Sequence, residues 1–128
     1  MNKTIMILED EQHFHTLYEA MLEDTGCEII SACDGYDAWS KLEEKKPDLI
    51  ILDILLDIMP GDTFFLYLKG MSEYADIPVI IISALSGKHY KSLKKRDPNL
   101  VCIEKSYLTR ERLLEEIENK LCYSSNSD

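Results

Sequence analysis

Five polar residues of complementary chemistry fall at the ends of apolar runs: Glu9 and Asp10 after the first, Asp53 after the third, Ser83 after the fourth and Lys105 after the fifth. Three carboxylates held close repel one another and bind protons more tightly unless a cation relieves them. A hard divalent ion such as Mg²⁺ suits such a set, because it takes a couple of carboxylates, keeps some of its waters and leaves positions for a phosphate oxygen. Lys105 adds a mobile positive charge and Ser83 a hydroxyl, both able to grip a phosphoryl group. Asp53 is then a candidate nucleophile that would form an acyl phosphate. Taken singly, each residue has an ordinary reading as a helix cap, a turn hydroxyl or a surface lysine. It is the joint placement at four strand ends that points to a site.

That placement depends on the elements. Leu49 to Asp53 reads Leu-Ile-Ile-Leu-Asp between Pro47-Asp48 and Pro60-Gly61, the pattern of a strand buried on both faces with Asp53 at its carboxyl end. Thr4 to Leu8, Glu28 to Cys33, Val79 to Ile82 and Leu100 to Ile103 are further strands. Between them lie five helical stretches. The first carries Phe14, Leu17, Tyr18, Met21, Leu22 and Thr25, and Gly26 stops it. The second, after an Asp34-Gly35 turn, carries Ala38, Trp39 and Leu42; the third, capped by Asp62 or Thr63, carries Phe64, Phe65, Leu68 and Met71. A weaker fourth runs from Gly87 to Arg96 on Tyr90 and Leu93, and the last, capped by Thr109, presents Leu113, Leu114, Ile117 and Leu121. Strands alternating with helices argue a parallel sheet covered on both faces, with all strand ends opening into one crevice. One domain is expected over 1–122, with a polar, frayed tail at 123–128.

The chain has 128 residues with 24 acidic against 14 basic, a net charge of −10. That balance argues against binding nucleic acid or an anionic membrane. Cys27, Cys33, Cys102 and Cys122 show no C-x-x-C spacing and read as reduced, mostly buried thiols. No apolar run approaches the ~18 residues of a membrane span, and no signal-peptide pattern opens the chain. A cytoplasmic protein is expected.

From Lys3 to about Leu121 the chain resembles the receiver domain of two-component response regulators. The resemblance rests on Ile-Leu-Glu-Asp-Glu at 7–11, Pro-Asp-Leu-Ile-Ile-Leu-Asp at 47–53, Gly61, Pro-Val-Ile-Ile-Ile-Ser-Ala at 78–84, and Lys105. It implies an α/β flavodoxin-like fold: a five-stranded parallel sheet of order 2-1-3-4-5 with five helices on both faces. It implies that Asp53 accepts a phosphoryl group from a phosphohistidine on a sensor histidine kinase or histidine phosphotransfer protein. Glu9, Asp10 and Asp53, with the carbonyl of Leu55, would hold Mg²⁺; Ser83 and Lys105 would bind phosphoryl oxygens, and small Ala84 would leave room. Output would pass to a partner over the 87–122 face, and a homodimer is compatible with it. Such a domain is no enzyme beyond its own phosphotransfer and dephosphorylation.

The chain departs from the family pattern at several positions. Asp57 stands where proline is usual, Met59-Pro60-Gly61 replaces Met-Asp-Gly, and Asp97-Pro98-Asn99 replaces a Gly-Ala-Asp-like turn. Ser106 replaces a cis proline, so the Lys105 loop either holds a costly cis bond or runs differently. Cys102 takes the place of a switch aromatic. These substitutions motivate an alternative, a degenerate receiver that binds partners without phosphorylation. A haloacid-dehalogenase-like phosphatase has little support, because the next acid after Asp53 is Asp57, and a flavodoxin lacks its phosphate loop here. Lys88, Lys91, Lys94, Lys95 and Arg96 read first as a solvated helix face and second as a dock for an acidic partner. His13, His15 and Tyr18 on the first helix read first as ordinary surface and boundary residues and second as the border of a kinase-docking surface.

Overall fold

The β-branched runs place successive side chains on opposite sides of each strand, and the two faces are filled by different helices. In a computed structural model, which describes residues 2–85 and 90–125, strand β1 spans Thr4–Leu8, β2 Glu28–Ala32, β3 Leu49–Leu52, β4 Val79–Ser83 and β5 Val101–Glu104. Helices α1 (Gln12–Met21), α2 (Gly35–Glu44), α3 (Gly61–Gly70), α4 (Lys91–Lys94) and α5 (Arg110–Ser125) alternate with them. All neighbouring strands pair parallel, as the alternation of strands and helices expects, in the order β2-β1-β3-β4-β5 that the family resemblance implies.

Met6, Leu8, Ile50, Leu52, Val79 and Ile81 point to one face, where they meet Ala38 and Leu42 of α2, Phe64, Phe65 and Leu68 of α3, and Leu93 of α4. Ile5, Ile7, Leu49, Ile51, Ile80 and Ile82 point to the other, against Tyr18 of α1 and Leu113, Ile117 and Leu121 of α5. This alternation is the period of two that a strand buried on both sides must show. It also means that every strand end emerges from a core fixed above and below.

Helix boundaries differ from the periodic pattern where backbone chemistry outweighs apolar spacing. Helix α1 stops at Met21; a separate 3₁₀ turn, Glu23–Thr25, leads into Gly26, whose φ of 76° is the left-handed conformation glycine tolerates. Leu17 lies on the outer side of α1, 39% exposed, and Met71 caps α3 at 44% exposed, so neither belongs to the core. Asp34 caps α2 by accepting a hydrogen bond from the Asp37 N–H at 2.8 Å. Helix α3 begins earlier than either expected cap: Pro60 takes the cap position and Asp62 sits in the first turn, where its charge favours the helix dipole. Thr109 does cap α5, accepting from the Arg112 N–H at 3.1 Å. Helix α5 runs on to Ser125, so residues 123–125 of the expected tail are helical; 126–128 lie outside the described residues. Gly87 and Lys88, expected in the fourth helix, also lie outside them. Of the cysteines, Cys27 and Cys102 are half-buried and Cys33 is exposed, so none of these three free thiols is the buried one expected.

Gly61 ties this fold to the β3 strand end. Its N–H donates to the Ile54 carbonyl at 2.9 Å, and a Cβ at this position would collide with the Asp53 carbonyl oxygen and stand 2.6 Å from Ile54 Cα. Both obstacles are backbone, which cannot swing aside. Gly61→Ala is therefore expected to destabilise the protein by about 1–3 kcal/mol, seen as a lower urea midpoint, and to displace the backbone after Asp53. An unchanged midpoint would show that this loop is looser than its packing indicates.

Candidate functional site

The carboxyl ends of β1, β3 and β5 bring four of the charged residues together. Hydrogen bonds from the Glu9 N–H to the Ala32 carbonyl and from the Asp53 N–H to the Leu8 carbonyl, both 3.1 Å, extend the sheet ladder one residue past the strands. The two acids are thereby held at fixed height, Glu9 at 1% exposure and Asp53 at 3%. One carboxylate oxygen from each of Glu9, Asp10 and Asp53 lies within 4.8 Å of the others. Lys105, entering from the end of β5, puts its Nζ 2.9 Å from Glu9 Oε1 and 2.9 Å from Asp53 Oδ2.

Backbone donors complete the arrangement. Asp53 Oδ1 accepts the Leu55 N–H at 3.0 Å, Glu9 Oε2 accepts the Glu11 N–H at 3.1 Å, and Asp10 Oδ2 accepts the Asp57 N–H at 3.3 Å. Beneath them, His15 sits buried with Nε2 at 2.7 Å from the Glu9 carbonyl, to which it donates. A crevice of about 370 Å³ opens over Asp53, lined by Phe14, Leu55, Ala84, Lys105 and Ser106. It is large enough for a phosphoryl group and its waters.

The electrostatics are unbalanced. Among the described residues, three carboxylates and one ammonium leave two negative charges in excess at the site. Burial, reinforced by the Asp53 charge and opposed by Lys105, raises the Glu9 carboxyl above its ordinary range. Burial alone would lower Lys105, but its hydrogen bonds to Asp53 and Glu9 outweigh that and raise it. The Tyr18 phenol, below the two acids, is pushed up by burial and then by the charges of Glu9 and Asp53.

These residues fit a hard divalent cation. Oxygen ligands about 2.0–2.1 Å from a six-coordinate centre stand roughly 3–4 Å apart, and three carboxylate oxygens already within 4.8 Å need only small movements to reach that spacing. The uncompensated charge is the driving force, and two of the three acids are too buried to be relieved by water.

Ser83 is placed differently. It ends β4 at 0% exposure, and among the described residues its Oγ makes no hydrogen bond of good geometry. The hydroxyl lies on the side of Tyr90 and does not line the crevice, whereas Ala84 does. Leu55 is 49% exposed at the rim, held by its N–H on Asp53. Asp57 is exposed beyond the strand end. No peptide among the described residues is cis, and Lys105–Tyr107 forms a 3₁₀ turn, so the Ser106 loop runs differently from a cis-proline loop. His15, expected at the surface or its boundary, is buried at 5%; Tyr18, read both on the apolar stripe of the first helix and as a boundary residue, is buried at 1%, as the stripe expects. The spacing of 15, 18 and 22 on one helical stripe was the signal for this, since Leu22 is buried too. Phe14, on the apolar stripe of the same helix, packs partly against the core, but nothing in the sequence marks the approach of its ring to the Lys105 ammonium.

Comparison with known proteins identifies the setting. The family profile described as the response regulator receiver domain matches residues 5–118. Protein PilG of Pseudomonas aeruginosa is 30% identical over 83 residues, 65% of this chain and 62% of PilG. The polar-differentiation response regulator DivK of Brucella anthropi is 35% identical over 88 residues, 69% of this chain and 72% of DivK. The chain spans less than two thirds of the length of the first curated relatives that it matches, 62%, 25% and 34%. A CheY-like receiver domain from Methanospirillum hungatei superposes with a TM-score of 0.87 over the whole of both chains at 20% identity, a likeness of fold. None of the departures at Asp57, Cys102 or Ser106 removes a member of the acid and lysine cluster, and no observation favours a degenerate module. With the profile spanning nearly the whole ordered sheet and its helices, this protein belongs to the response regulator receiver domain family.

Proposed function

We propose that Asp53 is the phosphoacceptor of this receiver, taking a phosphoryl group from a phosphohistidine on a sensor histidine kinase or histidine phosphotransfer protein. The observation that carries this reading is Asp53 itself: a carboxylate 3% exposed at the floor of a crevice, hydrogen-bonded to Leu55 N–H and Lys105, with two more acids beside it. A carboxylate oxygen of Asp53 attacks phosphorus, a P–O bond forms, the P–N bond to the donor imidazole breaks, and the imidazole leaves with the bond's electron pair. Lys105 supplies positive charge to the phosphoryl oxygens within a hydrogen bond of Asp53. Ser83 would contribute its hydroxyl after turning out of its buried position toward the crevice. Glu9, Asp10 and Asp53, with the Leu55 carbonyl, are the residues that would hold Mg²⁺. When bound, the ion supplies charge neutralisation among the carboxylates and on the transferred group.

The chain acts as a signalling domain. Its proposed catalysis is limited to its own phosphorylation and dephosphorylation, and the proposed output surface is the 87–122 face. No helix among the described residues is long and apolar enough to cross a membrane, and the proposed setting is the cytoplasm. A net charge of −10 opposes direct contact with nucleic acid.

Incubation of the protein with Mg²⁺ and acetyl phosphate is expected to add one phosphoryl group, about 80 Da, read by intact mass. Asp53→Asn is expected to gain nothing and Asp57→Asn to gain as the parent does. Phosphorylation of Asp53→Asn at the parental level would overturn the assignment.

The Glu9 environment gives a second expected outcome, independent of phosphorylation. A carboxyl raised on folding contributes stability that is complete below its ordinary value of 4.5 and lost as pH rises through the higher folded value. In chelator, Glu9→Gln should therefore gain stability relative to the parent between pH 4 and pH 7, measured by urea midpoints. Mg²⁺ at 100 times its Kd should stabilise the parent by about 2.7 kcal/mol and the variant by much less. Identical pH profiles for the two proteins would contradict this electrostatic picture.

A further inference from the structure

We propose that Phe14 is a positioning residue for Lys105, holding the ammonium in the crevice through the face of its ring. The Lys105 Nζ stands 3.9 Å from the Phe14 ring centroid, well inside the roughly 6 Å over which a cation is attracted to an aromatic face. The same nitrogen is 2.9 Å from Glu9 Oε1 and 2.9 Å from Asp53 Oδ2. The ammonium is thus enclosed on three sides, by two carboxylates and one ring. Its side chain is 11% exposed, so the ring stands where water would otherwise solvate the charge.

The three contacts are not equivalent. Both carboxylates belong to the set that would hold a divalent cation, and Asp53 is also the proposed phosphoacceptor, so this inference rests on that reading. As those carboxylates take other partners, their hold on Lys105 weakens. The ring is the one contact of the three that no ligand of the site competes for. Phe14 packs partly against the core that contains Tyr18, with ring centroids 6.2 Å apart. It lines the crevice beside Asp53, Lys105 and Ser106. Lys105 carries four methylene groups and follows the short β5 strand, so without a lateral restraint its charge would sample many positions.

Three versions of the full chain separate ring electrostatics from packing. Phe14→Tyr keeps an electron-rich face, Phe14→Leu keeps an apolar side chain without one, and pentafluorophenylalanine at position 14 keeps the shape while reversing the ring quadrupole. The Lys105 ε-methylene resonances, assigned by their loss in Lys105→Arg, are expected to be shifted upfield in the parent and in Phe14→Tyr. They should move toward ordinary lysine positions in Phe14→Leu and in the fluorinated protein. The rate of phosphoryl gain from phosphoramidate with Mg²⁺ should fall roughly 2- to 10-fold in the last two and stay within about twofold of the parent in Phe14→Tyr. An unshifted Lys105 in the parent, or a fluorinated protein phosphorylated at the parental rate, would overturn the proposal. A parent that takes no phosphoryl group contradicts the Asp53 assignment instead, and the Lys105 resonances then decide the Phe14 contact by themselves.

Discussion

The site depends on one constraint: two carboxylates nearly sealed from water must find positive charge. Glu9 and Asp53 arrive on neighbouring strands, β1 and β3, whose separation is set by sheet pairing. Their repulsion cannot be relaxed by moving apart, because the ladder continues through both residues. Lys105, reaching over from the edge strand β5, supplies a single ammonium to both. One charge cannot balance three, so the crevice keeps an attraction for a further cation that the described residues do not satisfy. Much of the surrounding architecture serves that arrangement. Gly61 lets α3 close against the Asp53 backbone, His15 pins the Glu9 carbonyl from below, and Phe14 covers the ammonium from the side.

What could be read from residues alone followed from physical periodicity. The apolar runs ending in Glu9, Asp53, Ser83 and Lys105 marked the strands and their chemical ends, because a strand buried on both faces must be continuously apolar. The strand order came from the family resemblance, since spacing alone does not distinguish one parallel order from another. The start of α3 was missed because Asp62 and Thr63 are good capping residues, while the backbone bond from Gly61 to Ile54 that begins the helix earlier is a tertiary contact. The burial of His15 was missed because a histidine reads as polar until its partner is known, and that partner is a main-chain carbonyl six residues back. The orientation of Ser83 was also beyond reach: a hydroxyl at a strand end can face the crevice or the helix layer, and packing decides.

The side of the sheet that carries Ser83 has its own pattern. Cys102 on β5 is half-buried and packs against the cluster that contains Tyr90 and Leu93. A large aromatic in this cluster comes from the entrance to α4, where Tyr90 is 1% exposed and donates its hydroxyl to the Leu85 carbonyl at 3.2 Å. Burial raises its phenol, with the Ser83 hydroxyl opposing that shift. Cys102 and the buried Tyr90 ring thus belong to one packed cluster. The basic residues Lys91, Lys94, Lys95 and Arg96 are exposed just beyond it, on a protein that is otherwise strongly acidic.

The assignment of Asp53 is tested most directly by the chemistry of the bond it would form. Borohydride reduces an aspartyl acyl phosphate to homoserine and leaves free carboxylates intact, so the reacted position can be read by peptide mass mapping after phosphorylation with Mg²⁺ and acetyl phosphate. Homoserine at residue 53 alone is the expected result. Homoserine at residue 10 or 57, with residue 53 unchanged, would contradict it.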